Sequence, residues 1–161
     1  MTHPNAALVE RFYAAFARRD PDGMIACYDP NVTFSDPVFQ TLKGERAGAM
    51  WRMLAGRSQD LKVAASDIQA DDTQGSAHWV ALYTYSATGR RVRNVVNARF
   101  RFQNGRIILH QDTFDLWKWA AQALGPSGQF LGWTLFMRSA IRRNAARALD
   151  AYIARRAGSP T

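Results

Sequence analysis

The chain has 161 residues, 47% of them hydrophobic and 21% charged, which is enough for one domain with a substantial core and too short for two ordinary ones. Its single cysteine, Cys27, excludes an internal disulfide and a multi-cysteine zinc site and fits a reducing compartment. The formal charge of +8 is mainly a property of the tail, where Arg138, Arg142, Arg143, Arg147, Arg155 and Arg156 face Asp150 alone. A second basic group, Arg90, Arg91, Arg93, Arg99 and Arg101, falls on an expected hairpin whose solvated face accounts for it. No nucleic-acid motif accompanies either group, so specific nucleic-acid binding is not expected. The first residues lack a basic region followed by an apolar run, and no apolar run reaches the roughly 18 residues of a membrane span, so the expected location is cytoplasmic.

In chain order, 5–19 reads as an amphipathic helix with Leu8, Val9, Phe12, Ala15 and Phe16 on one stripe, ending near Asp20-Pro21. Residues 22–28 give a short second helix that Asp29-Pro30-Asn31 terminates. Residues 32–36 have strand propensity and stop at Pro37, which lacks the donor a ladder needs. A third helix, 44–54, buries Met50, Trp51 and Leu54. Strands follow at 61–70, 76–86 and 92–103, separated by the turns Asp71-Asp72-Thr73-Gln74-Gly75 and Ala87-Thr88-Gly89-Arg90. An Asn104-Gly105 turn opens a last strand, in which Ile108, His110, Asp112 and Phe114 alternate with Ile107, Leu109, Gln111 and Thr113. Helices first and then a four-stranded antiparallel meander make an α+β fold, with the helices on one face of a curved sheet.

Two acids close that strand. Asp115 precedes an apolar helix and takes the N-cap position, a structural role. Asp112 has no such local employment, and a mid-strand carboxylate faces water, pairs with a cation or is aimed into a cavity.

The order of elements and four local strings resemble the superfamily of nuclear transport factor 2, ketosteroid isomerase and the SnoaL-like cyclases. The strings are Val9-Glu10-Arg11-Phe12-Tyr13-Ala14-Ala15-Phe16 followed by Asp20-Pro21-Asp22-Gly23, then Val32-Thr33-Phe34-Ser35-Asp36-Pro37, then Phe100-Arg101-Phe102-Gln103-Asn104-Gly105-Arg106-Ile107, and Asp112-Thr113-Phe114-Asp115. The resemblance covers roughly 5–120 and implies a conical half-barrel capped by helices, over 1–124, with a basic helical C-terminal extension at 125–161. That cone hosts unrelated activities, so it does not by itself assign a reaction.

Carried over residue by residue, the resemblance implies that Asp36 matches the general base of the isomerase. The isomerase's oxyanion donors fall on Phe12 and Ala98, neither of which can donate, and Tyr13 and Asn97 are each one residue off, so a steroid-type isomerase is disfavoured. Comparison with limonene-1,2-epoxide hydrolase puts Asp112 at one catalytic acid, while the other acid and its arginine fall near Ala81 and Trp79. What remains is the pair Asp36 and Asp112, which family geometry aims into one cone, where one of them would have a raised pKa. Tyr13, Trp51, Trp79, Tyr83, Ala98, Phe100 and His110 are the candidate substrate-binding residues around them.

His3, His78 and His110 have no metal-ligand spacing, and there is no phosphate-binding or dinucleotide motif, so neither metal nor cofactor is expected. Beyond Gly125-Pro126-Ser127-Gly128, 130–137 is strongly apolar, and an arginine-rich helical pattern follows with Leu135, Ile141, Leu149, Tyr152 and Ile153 as its apolar side. This segment either packs over the cone mouth or across a dimer, or attaches to anionic lipid. His78, Val80 and Leu82 should lie opposite the pocket-facing Trp79, Ala81 and Tyr83. An apolar outer face of that kind leads us to expect a homodimer, which a light-scattering mass equal to one chain's would remove.

The reading from sequence is a cone that binds a small, largely apolar molecule for proton-transfer chemistry through Asp36 and Asp112, of isomerase, cyclase or epoxide-hydrolase type. A non-catalytic ligand-binding or protein-interaction module is the competing class.

Overall fold

The apolar stripe of the first helix organises the interior. In the computed structural model, which describes residues 2–131 and 134–158, α1 (Pro4–Ala17) buries Leu8, Val9, Phe12, Ala15 and Phe16 against the concave face of a sheet. Phe12 has no solvent exposure, and burying a side chain of that size is worth about 3 kcal/mol. The short α2 (Pro21–Ile25) follows, capped by the Asp20 carboxylate.

The sheet has six strands in the order β2-β1-β6-β5-β4-β3. These are β1 (Tyr28–Ser35), β2 (Leu42–Lys43), β3 (Lys62–Ala70), β4 (Gln74–Tyr85), β5 (Arg90–Gln103) and β6 (Arg106–Thr113). Strands β3 to β6 form the expected antiparallel meander. The Asn104-Gly105 turn joins β5 to β6 with both residues at positive φ (52° and 74°), the geometry a two-residue hairpin demands. Register shifts in β3, β6 and β1 bend the sheet into a cone open along one side.

Three local expectations change. Tyr28 is not the end of a helix but the start of β1, and Asp29-Pro30-Asn31 lies inside that strand. Proline is tolerated there because the ladder with β6 skips from Tyr28 to Thr33, so no ladder bond is asked of Pro30. That pairing is parallel and joins segments about 80 residues apart, as Tyr28 opposite Ile107 and Phe34 opposite His110. The simple alternation in β6 also fails, because Arg101 pairs with Leu109 and Phe102 with Ile107, leaving Ile108 as the extra residue. The bulge puts Ile107 into the same core as His110 and Asp112.

Helix α3 (Glu45–Arg57) buries Met50, Trp51 and Met53. After β6, Asp115 caps α4 (Leu116–Leu124) by accepting from the Lys118 amide. Helix α5 (Pro126–Leu131) then folds back on α4 so closely that a β-carbon at Gly128 would collide with the Ala120 carbonyl, and only glycine fits. Gly132 and Trp133 of the apolar run lie outside the described residues.

The last helix, α6 (Leu135–Ala157), buries Ile141 and Leu149 and brings Ala145, Ala148, Tyr152 and Ile153 onto the main core. Leu135, expected on its apolar side, is 81% exposed, because it opens the helix before the helix reaches the core. Arg142 Nε donates to the Pro37 carbonyl at 2.9 Å and Arg46 pairs with Asp150 at 3.0 Å, so α6 is tied down near Asp36 and to α3.

Candidate functional site

The concave face of β5 presents Val92, Asn94, Val96, Ala98 and Phe100 inward, an apolar series broken only by Asn94. Trp79, Ala81 and Tyr83 do the same from β4. With α3 on one side and α4 and α6 above, these strands enclose a cavity of about 290 Å³. Both acids, Asp36 and Asp112, line it, together with Trp51, Trp79 and Tyr83. Tyr13, Ala98, Phe100 and His110 are not on its wall; they are buried one layer behind it.

Asp112 is 3% exposed and stands at the end of a buried relay of hydrogen bonds. Trp51 Nε1 donates to the Tyr28 hydroxyl at 2.9 Å, that hydroxyl meets His110 Nδ1 at 2.7 Å, and His110 Nε2 meets Asp112 Oδ1 at 2.8 Å. The direction of the relay follows from what each group can do. An indole can only donate, so the Tyr28 oxygen accepts there and spends its own proton on His110 Nδ1. The imidazole therefore carries its proton on Nε2 and gives that hydrogen bond to the carboxylate.

The ring of His110 has no solvent exposure and is boxed by Phe12, Phe34, Trp51 and Phe100, the last with its centroid 4.6 Å away. Inside that box the two ring nitrogens have Tyr28 and Asp112 as their partners. Trp79 Nε1 adds a longer bond to the same Asp112 oxygen at 3.4 Å. Among the described residues no donor occupies Asp112 Oδ2, which leaves that oxygen for a molecule in the cavity.

Asp36 is held differently. Its Oδ1 accepts the Val38 amide at 2.7 Å and the Phe39 amide at 2.6 Å, a tight turn around Pro37. Burial nonetheless pushes its pKa up to about 7, against the lowering pull of those amides and with the Asp112 charge adding to the rise. The residue keeps some accessible surface, but its carboxyl is surrounded by protein on nearly every side. Near neutral pH this acid is therefore poised between its two forms, and protonated it can donate from Oδ2.

Tyr83 supplies a further donor. Its hydroxyl accepts from Trp119 Nε1 at 2.7 Å, and burial raises its pKa to about 12, so it remains a phenol with its own proton available to the cavity. Tyr13, beside the relay, has its hydroxyl buried with no partner among the described residues, and burial, then the Asp112 charge, raises its pKa.

Reasoning from sequence missed four contributors. Tyr28 was hidden by its assignment to a helix. Asn94 had a legible signal, being the one polar member of the inward alternation in β5. Trp119, which holds Tyr83, and Asn144, which lines the cavity from α6, depend on where α4 and α6 dock. Among the described residues no group of three histidine, cysteine or acidic side chains has metal-holding geometry.

No curated protein matches the chain in sequence. Solved structures share its fold at low identity. One is a limonene-epoxide-hydrolase-like epoxide hydrolase from M. tuberculosis, 23% identical over 80% of this chain and 96% of that one, with a TM-score of 0.64. Another is a putative polyketide cyclase from Xanthomonas campestris, 24% identical over 74% and 96% of the two chains, with a TM-score of 0.63. A protein of ketosteroid isomerase-like fold from Catenulispora acidiphila is 16% identical over 74% and 94%, with a TM-score of 0.66. At these identities the likeness concerns the fold. The SnoaL-like domain model matches residues 9–110, most of the chain and nearly all of the cone, and the chain belongs to that family.

Proposed function

We propose that the cavity carries out proton-transfer chemistry on a small, largely apolar molecule bearing a carbonyl or epoxide oxygen. The observation that supports this most directly is that two unlike carboxyls line one cavity. Asp112 is buried with one oxygen held by His110 Nε2, and Asp36 is an acid that burial lets keep its proton up to about pH 7. Two carboxyls in such unlike surroundings can divide acid and base roles between them.

Asp112 Oδ2 takes a proton from the carbon beside a carbonyl, or from a water that attacks an epoxide. Asp36 delivers a proton to the substrate oxygen, so the active site's total proton count is unchanged. Tyr83 orients that oxygen by donating to it. His110 does not touch substrate; it positions Asp112 by occupying Oδ1, and its proton stabilises the carboxylate before the reaction. The apolar walls formed by Trp51, Trp79 and Met50 select molecules with little polar surface.

The structural neighbours named as an epoxide hydrolase and a putative polyketide cyclase make epoxides and enolisable ketones the panel to screen. For a substrate found there, Asp112→Asn should lower kcat by about 10² to 10⁴, the usual span for removing a general base. The wild-type rate should fall as pH rises through about 7, where Asp36 loses its proton, and Asp36→Asn should remove that limb. Apolar ligands that bind wild type and Asp112→Asn alike, with no turnover across the panel, would instead make this a non-catalytic binding module.

A further inference from the structure

The proton-transfer reading makes no use of the corner between α5 and α6. Phe130 is 70% exposed, Leu131 48%, Leu135 81% and Phe136 76%, and Trp117 on the adjoining α4 is 44% exposed. Soluble surfaces scatter large apolar residues singly, whereas a cluster of this size marks something that covers it. Trp117 Nε1 donates to the Gln129 carbonyl at 2.9 Å, so α4 and α5 present their apolar side chains as one unit.

The charge around this corner has one sign. From Leu116 to Leu149 the chain carries Lys118, Arg138, Arg142, Arg143 and Arg147 and no acid at all. Phe136, Arg143 and Arg147 are spaced seven and four residues apart and are all exposed, so they follow one outer stripe of α6. Arg90 adds a further cation from β5, its guanidinium packed against Gly125 and its Nε donating to the Gln122 carbonyl at 2.8 Å. The two acids that flank this stretch are both engaged, Asp115 in capping α4 and Asp150 with Arg46 at 3.0 Å.

We propose that this corner docks on an anionic lipid leaflet, inserting Phe130, Leu131, Leu135 and Phe136 among the acyl chains while Lys118, Arg143 and Arg147 meet the headgroups. Apolar tips flanked mainly by cations are what such a surface attracts, and the electrostatic part of that attraction is absent for a neutral leaflet. A second copy of the chain fits poorly, because a two-fold contact through this corner would press the same cations against one another. No helix among the described residues is long and apolar enough to cross a membrane, so the contact is at the surface. The position also suits the cavity. Leu124 and Met137 belong to its wall, and Met137 is the neighbour of exposed Phe136, so the docked corner lies against one wall of the cavity.

Flotation of the full chain with vesicles tests this. Equimolar phosphatidylglycerol and phosphatidylcholine vesicles should bind it at least tenfold more tightly than phosphatidylcholine alone, and 0.5 M NaCl should weaken the difference, at roughly a 4 Å screening length. Leu135→Glu with Phe136→Glu should lower binding at least tenfold while circular dichroism stays that of the folded chain, since both residues are exposed. Arg143→Ala with Arg147→Ala should act on the anionic vesicles only. Equal binding to both vesicle types, no flotation at all, or a Glu double variant whose light-scattering mass halves would overturn the proposal, the last by showing that a second copy covers the patch.

Discussion

Asp36→Asn should leave the protein more stable than wild type at pH 8, by up to about 4 kcal/mol, and no more stable near pH 4. The sign follows from where the proton binds more tightly. The native carboxyl titrates at about 7 and the unfolded one near its ordinary value of 3.8, so between those limits the native state holds a proton that the unfolded state has lost. The group's contribution is fully present below about 4 and is lost as pH rises through 7. Asparagine keeps the acceptor that the Val38 and Phe39 amides require, and it never ionises. The residual solvent access of Asp36 makes the figure an upper bound. Urea unfolding followed by tryptophan fluorescence from pH 4 to 8 measures it; parallel curves for the two proteins would put the Asp36 carboxyl in water. Carboxyl-carbon NMR adds a second readout, because Asp112→Asn removes a charge that raises the Asp36 pKa and should move its midpoint down.

Tyr28→Phe should cost about 2 to 5 kcal/mol although it removes a single atom from the chain. The lost oxygen serves two buried partners, accepting from Trp51 Nε1 and donating to His110 Nδ1, and phenylalanine leaves both without a hydrogen bond inside an aromatic box. At roughly 2 to 4 °C per kcal/mol for a chain of this size, the melting temperature should fall by about 4 to 20 °C. A structural role alone predicts only that loss. The relay predicts in addition that the His110 tautomer is released, which nitrogen-15 chemical shifts of the ring will register. A change within about 0.5 kcal/mol, with the tautomer unmoved, would mean that Tyr28 does not direct the relay.

Both positions show where the sequence was readable and where it was not. Local chemistry was legible: the stripe on α1, the two-residue turn at Asn104-Gly105 and the cap at Asp115 are each set by neighbours a few residues away. The inward faces of β4 and β5 were legible too, since alternation survives wherever the ladder is unbroken. Tyr28 was missed because Pro30 reads as a stop locally, while the pairing that tolerates it comes from β6, about 80 residues on. The Ile108 bulge shifts the phase of β6, so which residues face inward there cannot be read by counting in twos. Asp36 stood out as an acid, but its turn with Val38 and Phe39 gives it structural work that a motif match does not reveal. The helical pattern of α6 was visible, whereas its placement over the cavity depends on contacts such as Arg142 with the Pro37 carbonyl.

That placement gives the protein a readout of its own occupancy. Met137, Ile141 and Asn144 of α6 are cavity wall, and only Ile141 and Leu149 of that helix are buried. A molecule that fills the space therefore adds contacts to the helix that the empty protein lacks. By mass action its binding deepens the docked state by RT ln(1 + [L]/Kd), about 2.7 kcal/mol at a hundredfold excess over Kd. Amide hydrogen exchange along Leu135–Ala157 should then slow by the corresponding factor wherever opening proceeds through that helix. Exchange along the final helix should therefore register any ligand of the cavity, whether or not it is turned over.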